Sequence, residues 1–351
     1  MPFNNLRIKN INLKNRMVIS PMCQYSAING SPSIWHYNHL SKLATSGAAL
    51  LILESTAVSK NGKISHMDLC LSNKTQEKNF KLLLNYLRKI SDIKLGVQIS
   101  HSGRKGSSEI PWLKPNSPLK KKSWQTYAPS SIKRSNGWPT PKSLSKKQID
   151  KIILDFKNTA LRVKKIGFDC LELHMAHGYL LHQFLSPISN KRSDKYGGND
   201  TNRQKIPLKI ASEIRKIWPR NKILGARITA TDHLKKGINI ADSIKFVKKL
   251  KILGFDYVCV SSGGIIPITN LRQKKAFRKN LCKKIKSEVK IITRASGQID
   301  DFKTIDYLLE NKSLDLVATG RKFINDPHWL IREAKKRKLM TYIPKQYNRC
   351  I

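Results

Sequence analysis

The segment Cys170-Leu171-Glu172-Leu173-His174-Met175-Ala176-His177-Gly178-Tyr179 joins a short apolar run to two histidines, a glycine and a tyrosine. The preceding Lys165-Ile166-Gly167-Phe168-Asp169 is typical of a helix that ends at a glycine and leads into a strand. We therefore expect His174, His177 and Tyr179 at the carboxyl end of a buried strand. In barrels and open sheets built from βα units, this end carries the active site.

The three polar side chains of this segment suit polarising and acid–base chemistry. Neutral imidazoles can donate hydrogen bonds to a substrate oxygen, and the phenol of Tyr179 carries a transferable proton. Two histidines three residues apart also fit a metal pair, or structural histidines that bind only their neighbours. The segment alone leaves these alternatives open.

A second junction, Ile252-Leu253-Gly254-Phe255-Asp256, nearly repeats the helix–glycine–strand pattern. Predicted helices and strands alternate along the chain, and the alternation predicts an α/β fold, a (β/α)8 TIM barrel with all strand ends on one rim. The alternative is a doubly wound open sheet, but no G-x-G-x-x-G motif follows the first strand. The eight predicted strands begin at Met17, Ala49, Leu95, Cys170, Ile223, Tyr257, Lys290 and Leu314.

Two segments are expected outside the repeating units. Residues 6–16 alternate apolar and polar side chains and predict an N-terminal hairpin. Residues 106–143, after strand 3, lack periodicity and predict a long capping loop over the site; a disordered linker is the alternative. Tryptophans in this segment favour a packed loop. We expect a single barrel domain over 1–351, with 339–351 as a C-terminal tail.

The composition bounds the class of protein. The chain has 351 residues and six cysteines, which form no metal-binding spacing. No apolar run approaches the roughly 20 residues needed to span a bilayer, and the first residues do not read as a signal peptide. We expect a cytoplasmic protein with no membrane segment and no bound metal.

The charge is extreme, with 67 Lys and Arg against 23 Asp and Glu, a net +44. Such a charge fits a nucleic-acid or polyanion partner. It also fits a general bias, because the lysines are scattered and the longest run is Lys120-Lys121-Lys122. We interpret the charge as compositional and expect no specific nucleic-acid partner.

The last three strands end in glycine-rich segments that suit a phosphate group. Backbone N–H groups at glycines can approach an anion, arginine binds phosphate through two donors, and phosphate sites recur beside strands 7 and 8 of this fold. Ordinary turn glycines are the alternative. Gln98 and Arg227, at the ends of strands 3 and 5, suit the polar edge of a flat heterocycle. The segments are 261–264 (SSGG), Ser296-Gly297 and Gly320-Arg321.

Together these residues resemble the old yellow enzyme family of FMN-dependent ene-reductases, and most closely the bacterial branch with a cysteine near the flavin. The motifs that carry the resemblance span most of the chain in the family's order. They are 15–25 (NRMVISPMCQY), 98–105 (QISHSGRK), 172–187 (ELHMAHGYLLHQFLSP) and 194–198 (DKYGG).

The resemblance implies an enzyme that uses FMN, with NADPH or NADH as reductant, to reduce the C=C bond of a small enone. The implied catalytic residues are His174, His177 and Tyr179. The two histidines would bind the carbonyl oxygen, and Tyr179 would donate the proton. Tyr25 would contact the substrate, and Arg349 of the tail would reach a partner's site in a homodimer or homotetramer. The implied flavin-binding residues are Ser20, Pro21, Met22, Cys23, Ser55, Gln98, Arg227, Gly297, Gly320 and Arg321.

Three features depart from the family pattern. Arg294 stands in strand 7 where a small residue is usual, which puts the phosphate geometry in question. Thr201 replaces the usual glutamate before Asn202-Arg203, and the tail lacks the usual aromatic end. The alternative function is that of a tRNA-dihydrouridine-synthase-like flavin enzyme, which suits the net charge of +44. That family uses a cysteine acid and carries a further RNA-binding domain after its barrel.

Overall fold

The computed structural model of the chain describes residues 1–267, 274–339, 344–347 and 349. Its strands are β1 (Leu6–Ile8), β2 (Ile11–Leu13), β3 (Met17–Ile19), β4 (Leu50–Ala57), β5 (Lys94–Ser100), β6 (Tyr127–Ala128), β7 (Lys142–Ser143), β8 (Cys170–Met175), β9 (Ile223–Thr229), β10 (Tyr257–Ser261), β11 (Ile292–Ala295) and β12 (Leu316–Thr319). Its α-helices are α1 (Ile34–Ala44), α2 (Lys74–Ile90), α3 (Lys146–Ile166), α4 (Leu180–Leu185), α5 (Asp200–Ile217), α6 (Ile240–Ile252), α7 (Lys279–Val289), α8 (Phe302–Glu310), α9 (Arg321–Asn325) and α10 (Trp329–Lys336).

Eight parallel strands close into a barrel, in the order β3, β4, β5, β8, β9, β10, β11, β12. The last pairs with the first, since Val317 of β12 lies opposite Met17 of β3. This confirms the predicted (β/α)8 barrel, and each predicted strand start lies within two residues of the observed one. Because all strands run the same way, their carboxyl ends form one rim.

The repeated junctions share a hydrogen-bond pattern at the opposite, amino end of the barrel. Gly167 ends α3 with a left-handed φ of 103°, as the sequence predicts. An aspartate at the start of a strand then accepts a bond from a backbone N–H near the start of the preceding strand. The bonds join Asp169 to Leu95 (2.9 Å), Asp256 to Leu224 (2.8 Å) and Asp315 to Thr293 (2.9 Å).

The hairpin formed by β1 and β2 belongs to the core of the barrel. Ile8 and Leu13 are buried in the same cluster as Val18, Leu50 and Leu316, which come from barrel strands. A larger core fills the layer between strands and helices. The end of the barrel that the hairpin covers is thus filled with apolar side chains. Polar side chains are found at the other end, on the carboxyl rim.

One helix contains a proline, and one predicted boundary needs correction. Pro207 lies inside α5, which nevertheless runs from Asp200 to Ile217 without interruption. One missing N–H does not outweigh the burial of this helix against its neighbours. Strand 7 was expected from Lys290, yet Lys290 ends α7 with a φ of 53°, so β11 begins at Ile292.

Residues 106–143 are packed in part against the rim. Ala128 of β6 is fully buried and Trp138 is 8% exposed, whereas Trp112 is 62% exposed. The guanidinium of the buried Arg104 donates to the backbone oxygens of Ile132 (3.1 Å) and Lys133 (3.4 Å). In the described part of the chain, no helix is both long and apolar enough to cross a membrane.

Candidate active site

A cleft of about 710 Å³ opens at the carboxyl rim beside β3, β9, β11 and β12. It gathers most of the residues that the sequence assigned to a cofactor. Those that line it are Ser20, Pro21, Met22, Arg227, Gly297, Gly320 and Arg321. Residues from the two ends of the chain thus meet at one place.

Two glycines in the wall of the cleft stand where a side chain would not fit. A Cβ at Gly297, whose φ is 138°, would lie 2.8 Å from the ring of Phe277. A Cβ at Gly320 would lie 2.7 Å from the sulfur of Met22. Their backbone can therefore approach a ligand where a larger residue would collide.

The cleft is rich in positive charge. Arg227, Arg278 and Arg321 all line it, together with Lys322, against one acidic residue, Asp300. This surplus favours an anionic ligand.

The sequence reading missed Arg278, because its position just before α7 looks like an ordinary helix start. Its guanidinium donates to the backbone oxygen of Ser296 at 2.9 Å and to the hydroxyl of Ser262 at 3.3 Å. Burial, and then the charge of Arg227, lowers the pKa of Arg278 to about 10. Two guanidinium groups so close together suit a shared negatively charged partner.

Two polar atoms of the cleft lack a hydrogen-bond partner among the residues that the structure describes. The hydroxyl of Ser20 and the Nε of Arg227 are buried and make no hydrogen bond within the described residues. Arg227 does reach Ser296, through another nitrogen, at 3.4 Å. Buried polar groups are rarely left unsatisfied, so both atoms indicate a site for a polar ligand.

Ser55 and Gln98 lie side by side on β4 and β5, where a register shift follows Leu53. They are 8% and 1% exposed. The amide nitrogen of Gln98 donates to Glu172 at 2.7 Å. These two predicted cofactor residues are thus brought together within the barrel, although neither lines the open cleft.

The segment after β3 carries Cys23 and Tyr25. The carboxylate of buried Glu54 fixes its backbone by accepting from the N–H of Gln24 at 2.7 Å. Burial, followed by the charge of Glu54, raises the pKa of Cys23 well above its ordinary value, so the thiol stays protonated. Tyr25 has a left-handed φ of 47°, and its ring meets that of Trp112 edge-on at 5.9 Å.

His174, at the end of β8, is a neutral hydrogen-bond donor. Its Nδ1 accepts from the backbone N–H of Ala176 at 3.3 Å, so the ring proton sits on Nε2. Burial, and then the charge of Arg227, lowers the pKa of His174 well below its ordinary value. No described residue takes the bond that Nε2 can donate.

His177 lies beside it, with the two ring centroids 5.3 Å apart. Its Nε2 is 2.5 Å from the hydroxyl of Ser261. When Ser261 donates in this bond, the ring proton of His177 sits on Nδ1. Burial, and then Arg227, also lowers the pKa of His177 well below its ordinary value.

A tight turn presents these groups. His177 and Gly178 both have a left-handed φ, 57° and 73°, and a Cβ at Gly178 would lie 2.2 Å from the backbone oxygen of Gly264. The N–H of Gly178 donates to Nδ1 of His182 at 2.8 Å, and Nε2 of His182 lies 2.9 Å from Asp232. His182 and Asp232, both fully buried, therefore lock the turn.

Tyr179 follows the turn and packs edge-on against His174, with ring centroids 4.6 Å apart. Burial raises its pKa well above the ordinary value, so the phenol keeps its proton. Lys105 lies over the ring, its Nζ 4.9 Å from the centroid, and donates to the backbone oxygen of His177 at 2.8 Å. Burial, then Arg134 and Arg104, lowers the pKa of Lys105 to about 7.

Comparison with known proteins gives the family. The model of the NADH:flavin oxidoreductase / NADH oxidase family matches residues 2–340. The chain belongs to this family, that of old yellow enzyme. It is thus a flavin oxidoreductase, and the family match favours this activity over the RNA-modifying alternative.

Curated relatives cover nearly the whole chain. It is 35% identical to an NADPH dehydrogenase of Clostridium acetobutylicum over 351 residues, which cover 99% of this chain and 98% of that protein. It is 33% identical to an NADPH dehydrogenase of Bacillus subtilis over 349 residues, 99% and 98% of the two chains.

Solved structures share the fold at lower identity. Morphinone reductase in complex with tetrahydroNAD is 22% identical, with a TM-score of 0.79 over 96% of this chain and 91% of that one. 2-Naphthoyl-CoA reductase in complex with 2-naphthoyl-CoA is 19% identical, with a TM-score of 0.86 over 97% of this chain and 52% of that one.

Three further predictions can be placed. Arg294 is fully buried inside the barrel and does not line the cleft that holds Gly297, Gly320 and Arg321. Arg349 is exposed at the end of the described chain. Among the described residues, no three His, Cys, Asp or Glu side chains are grouped as metal ligands would be.

Proposed function

We propose that the chain is an FMN-dependent ene-reductase that uses NADPH to reduce the C=C bond of α,β-unsaturated carbonyl compounds. The observation that carries the proposal is the pair of neutral histidines, His174 and His177, held beside a protonated Tyr179 at the carboxyl rim. NADPH is proposed over NADH because the curated relatives are NADPH dehydrogenases.

The residues of the cleft fit FMN. The unpartnered hydroxyl of Ser20 and Nε of Arg227 suit the polar groups of such a cofactor. The wall at Gly297 and Gly320, with Arg321 beside it, suits its phosphate. Arg278 is proposed as a further contact to the anionic part. When bound, FMN would supply the hydride that adds to the alkene.

The histidines would hold and polarise the substrate. Nε2 of His174 and Nδ1 of His177 are the two donors left once their bonds to Ala176 and Ser261 are made. Both rings are neutral, so each binds a carbonyl oxygen without placing a full charge there. Negative charge grows on this oxygen as the alkene is reduced, so the donors stabilise the transition state more than the bound substrate.

Tyr179 would donate a proton to the substrate carbon next to the carbonyl group. Its raised pKa keeps the phenol protonated until a stronger base forms beside it. Lys105, close above the ring, lowers the cost of negative charge on the phenol oxygen while it carries its own proton. Tyr25 and Cys23 are proposed to line the opposite side of the site.

The proposal extends to the assembly. Arg349 is exposed and does not line the cleft of its own chain, as expected of a residue that serves a partner subunit in a homodimer or homotetramer. We also propose that the net charge of +44 serves no specific nucleic acid. Binding of tRNA should then collapse with salt and show no preference over other nucleic acids.

The direct test is the visible spectrum of the purified protein under argon. We expect a flavin spectrum that NADPH bleaches and that cyclohexenone restores, with FMN released on denaturation. A protein that carries no flavin and takes up none when FMN is added would refute the cofactor. Bleaching by NADPH without reoxidation by any enone would refute the substrate class alone.

A further inference from the structure

Four side chains form a hydrogen-bonded cluster inside the barrel: Gln98, Glu172, Tyr257 and Arg294. Each is at most 1% exposed. Glu172 stands two residues before His174 on β8, and alternate residues of a strand face the same side. The cluster therefore lies one layer deeper in the barrel than the rim that carries His174.

Glu172 is the centre of the cluster. Its Oε1 accepts from the amide of Gln98 at 2.7 Å, and its Oε2 accepts from the hydroxyl of Tyr257 at 2.7 Å and from the guanidinium of Arg294. Arg294 also lies over the ring of Tyr257, 5.0 Å from its centroid. Gly225 makes room, because a Cβ there would lie 2.1 Å from that ring.

This arrangement fixes the direction of the Gln98 amide. An ionised carboxylate accepts hydrogen bonds and cannot donate, so the NH2 group of Gln98 must face Glu172. Its carbonyl oxygen then faces away from Glu172, and no described side chain or backbone group donates to it. Arg294 pairs with the carboxylate of Glu172 and supplies the counter-charge that a buried carboxylate needs.

We propose that Glu172 and Arg294 are positioning residues that hold the carbonyl oxygen of Gln98 toward the cofactor. The carbonyl oxygen of Gln98 can then bind only a ligand group that donates a hydrogen bond. The inference rests on the proposed FMN site, because the imide N–H of a flavin is such a donor. Under this proposal, Arg294 acts next to the residues proposed to bind the flavin ring and does not contact the phosphate.

The test compares FMN with 3-methyl-FMN, which lacks the imide N–H. Dissociation constants are measured by quenching of flavin fluorescence on the apoprotein. The wild type should prefer FMN by about tenfold or more, since a donor–acceptor pair is lost with the analogue. In the double variant Glu172→Gln/Arg294→Met, the new amide can donate or accept, so the direction of Gln98 is no longer imposed. FMN should bind about tenfold more weakly, and the preference should disappear.

Two further variants serve as a negative and a positive control. Arg215→Met removes another buried arginine, whose guanidinium binds the backbone oxygens of Trp218 and Gly254, and it should keep the preference. Gln98→Met removes the amide and should lose it. If the double variant does not fold, Arg294→Met alone should show the same loss, because it removes the guanidinium that pairs with Glu172 and holds this carboxylate in place.

The outcomes are separable. A double variant that keeps the wild-type preference while Gln98→Met loses it would overturn the positioning role. A wild type that binds FMN without preference over the methylated analogue would overturn it as well. A wild type that binds neither flavin would refute the proposed function itself.

Discussion

Asp232→Asn should disturb the turn that carries His177, although Asp232 itself lies behind it. One oxygen of Asp232 accepts hydrogen bonds from Ser186 (2.7 Å) and from the backbone of Ile238 (2.9 Å), and its other oxygen lies 2.9 Å from Nε2 of His182. Asparagine has one acceptor oxygen. If it keeps the first two bonds, its NH2 group faces the proton on Nε2 of His182.

His182 cannot resolve this conflict by moving its proton. A proton on Nδ1 would face the backbone N–H of Gly178, which now donates to that nitrogen at 2.8 Å. Either way, a buried donor comes to face another donor, and the contact of His182 with a charged carboxylate is lost. We expect the free energy of unfolding to fall by about 2–4 kcal/mol.

The dependence on pH adds a second signature. Burial alone would raise the pKa of Asp232, but the nearby His182 and the hydrogen bond from the backbone of Ile238 outweigh burial and lower this pKa below the ordinary value of 3.8. A depressed folded-state pKa contributes stability that is complete above the unfolded value and is lost as pH falls through the folded value. The difference between wild type and Asp232→Asn should therefore be full at neutral pH and shrink below about pH 4.

Urea denaturation of both proteins over this range of pH measures the effect. Asp242→Asn is the matched control, since within the described chain Asp242 accepts only from the backbone N–H of Asn239 (3.1 Å) at the start of α6. It should cost about 1 kcal/mol or less. Equal stability of Asp232→Asn and wild type at neutral pH would refute the argument that Asp232 and His182 lock the turn.

Three other changes should separate the parts of the site. Gly178→Ala should abolish enone reduction and lower stability, because its Cβ would collide with the backbone oxygen of Gly264 at 2.2 Å; unchanged turnover would show that the turn is not needed. Arg278→Met should weaken FMN binding about tenfold or more in a fluorescence titration, and more so at low salt, if this guanidinium binds the anionic part; an unchanged dissociation constant would remove it from the site. In the wild type, the rate of enone reduction should fall as pH rises through about 7, because Lys105 then loses its charge beside Tyr179. Lys105→Met should flatten this pH profile. The same profile in both proteins would exclude this role of Lys105.

The barrel could be predicted because its signals are local. Each helix–glycine–aspartate junction is short, and the same aspartate that begins one strand binds the backbone of the strand before it, as Asp169 binds Leu95. Boundaries were less certain where apolar residues run across them. At Val289–Ile292 only the left-handed turn at Lys290 separates helix from strand, and the residue type does not reveal it.

The site was predictable where motif residues lie at strand ends and not where partners are distant. Arg294 could be recognised as unusual, but its pairing with Glu172 joins strands 122 residues apart. Arg278 lies just before a helix and carries no motif, so its place in the cleft follows only from the closed barrel. The role of Asp232 behind the turn likewise depends on a contact with His182 that no spacing indicates.

The most direct test of the proposed function is a stopped-flow measurement of its two half-reactions. NADPH reduces the flavin in the first, and cyclohexenone reoxidises it in the second. His174→Ala removes one of the two donors to the carbonyl oxygen and should slow the second half-reaction by about 10²–10³ while leaving the first much less affected. His66→Ala, at an exposed histidine, is the matched control and should change neither. If His174→Ala and His177→Ala both reoxidise at the wild-type rate, the histidine pair is structural and the proposed mechanism is wrong.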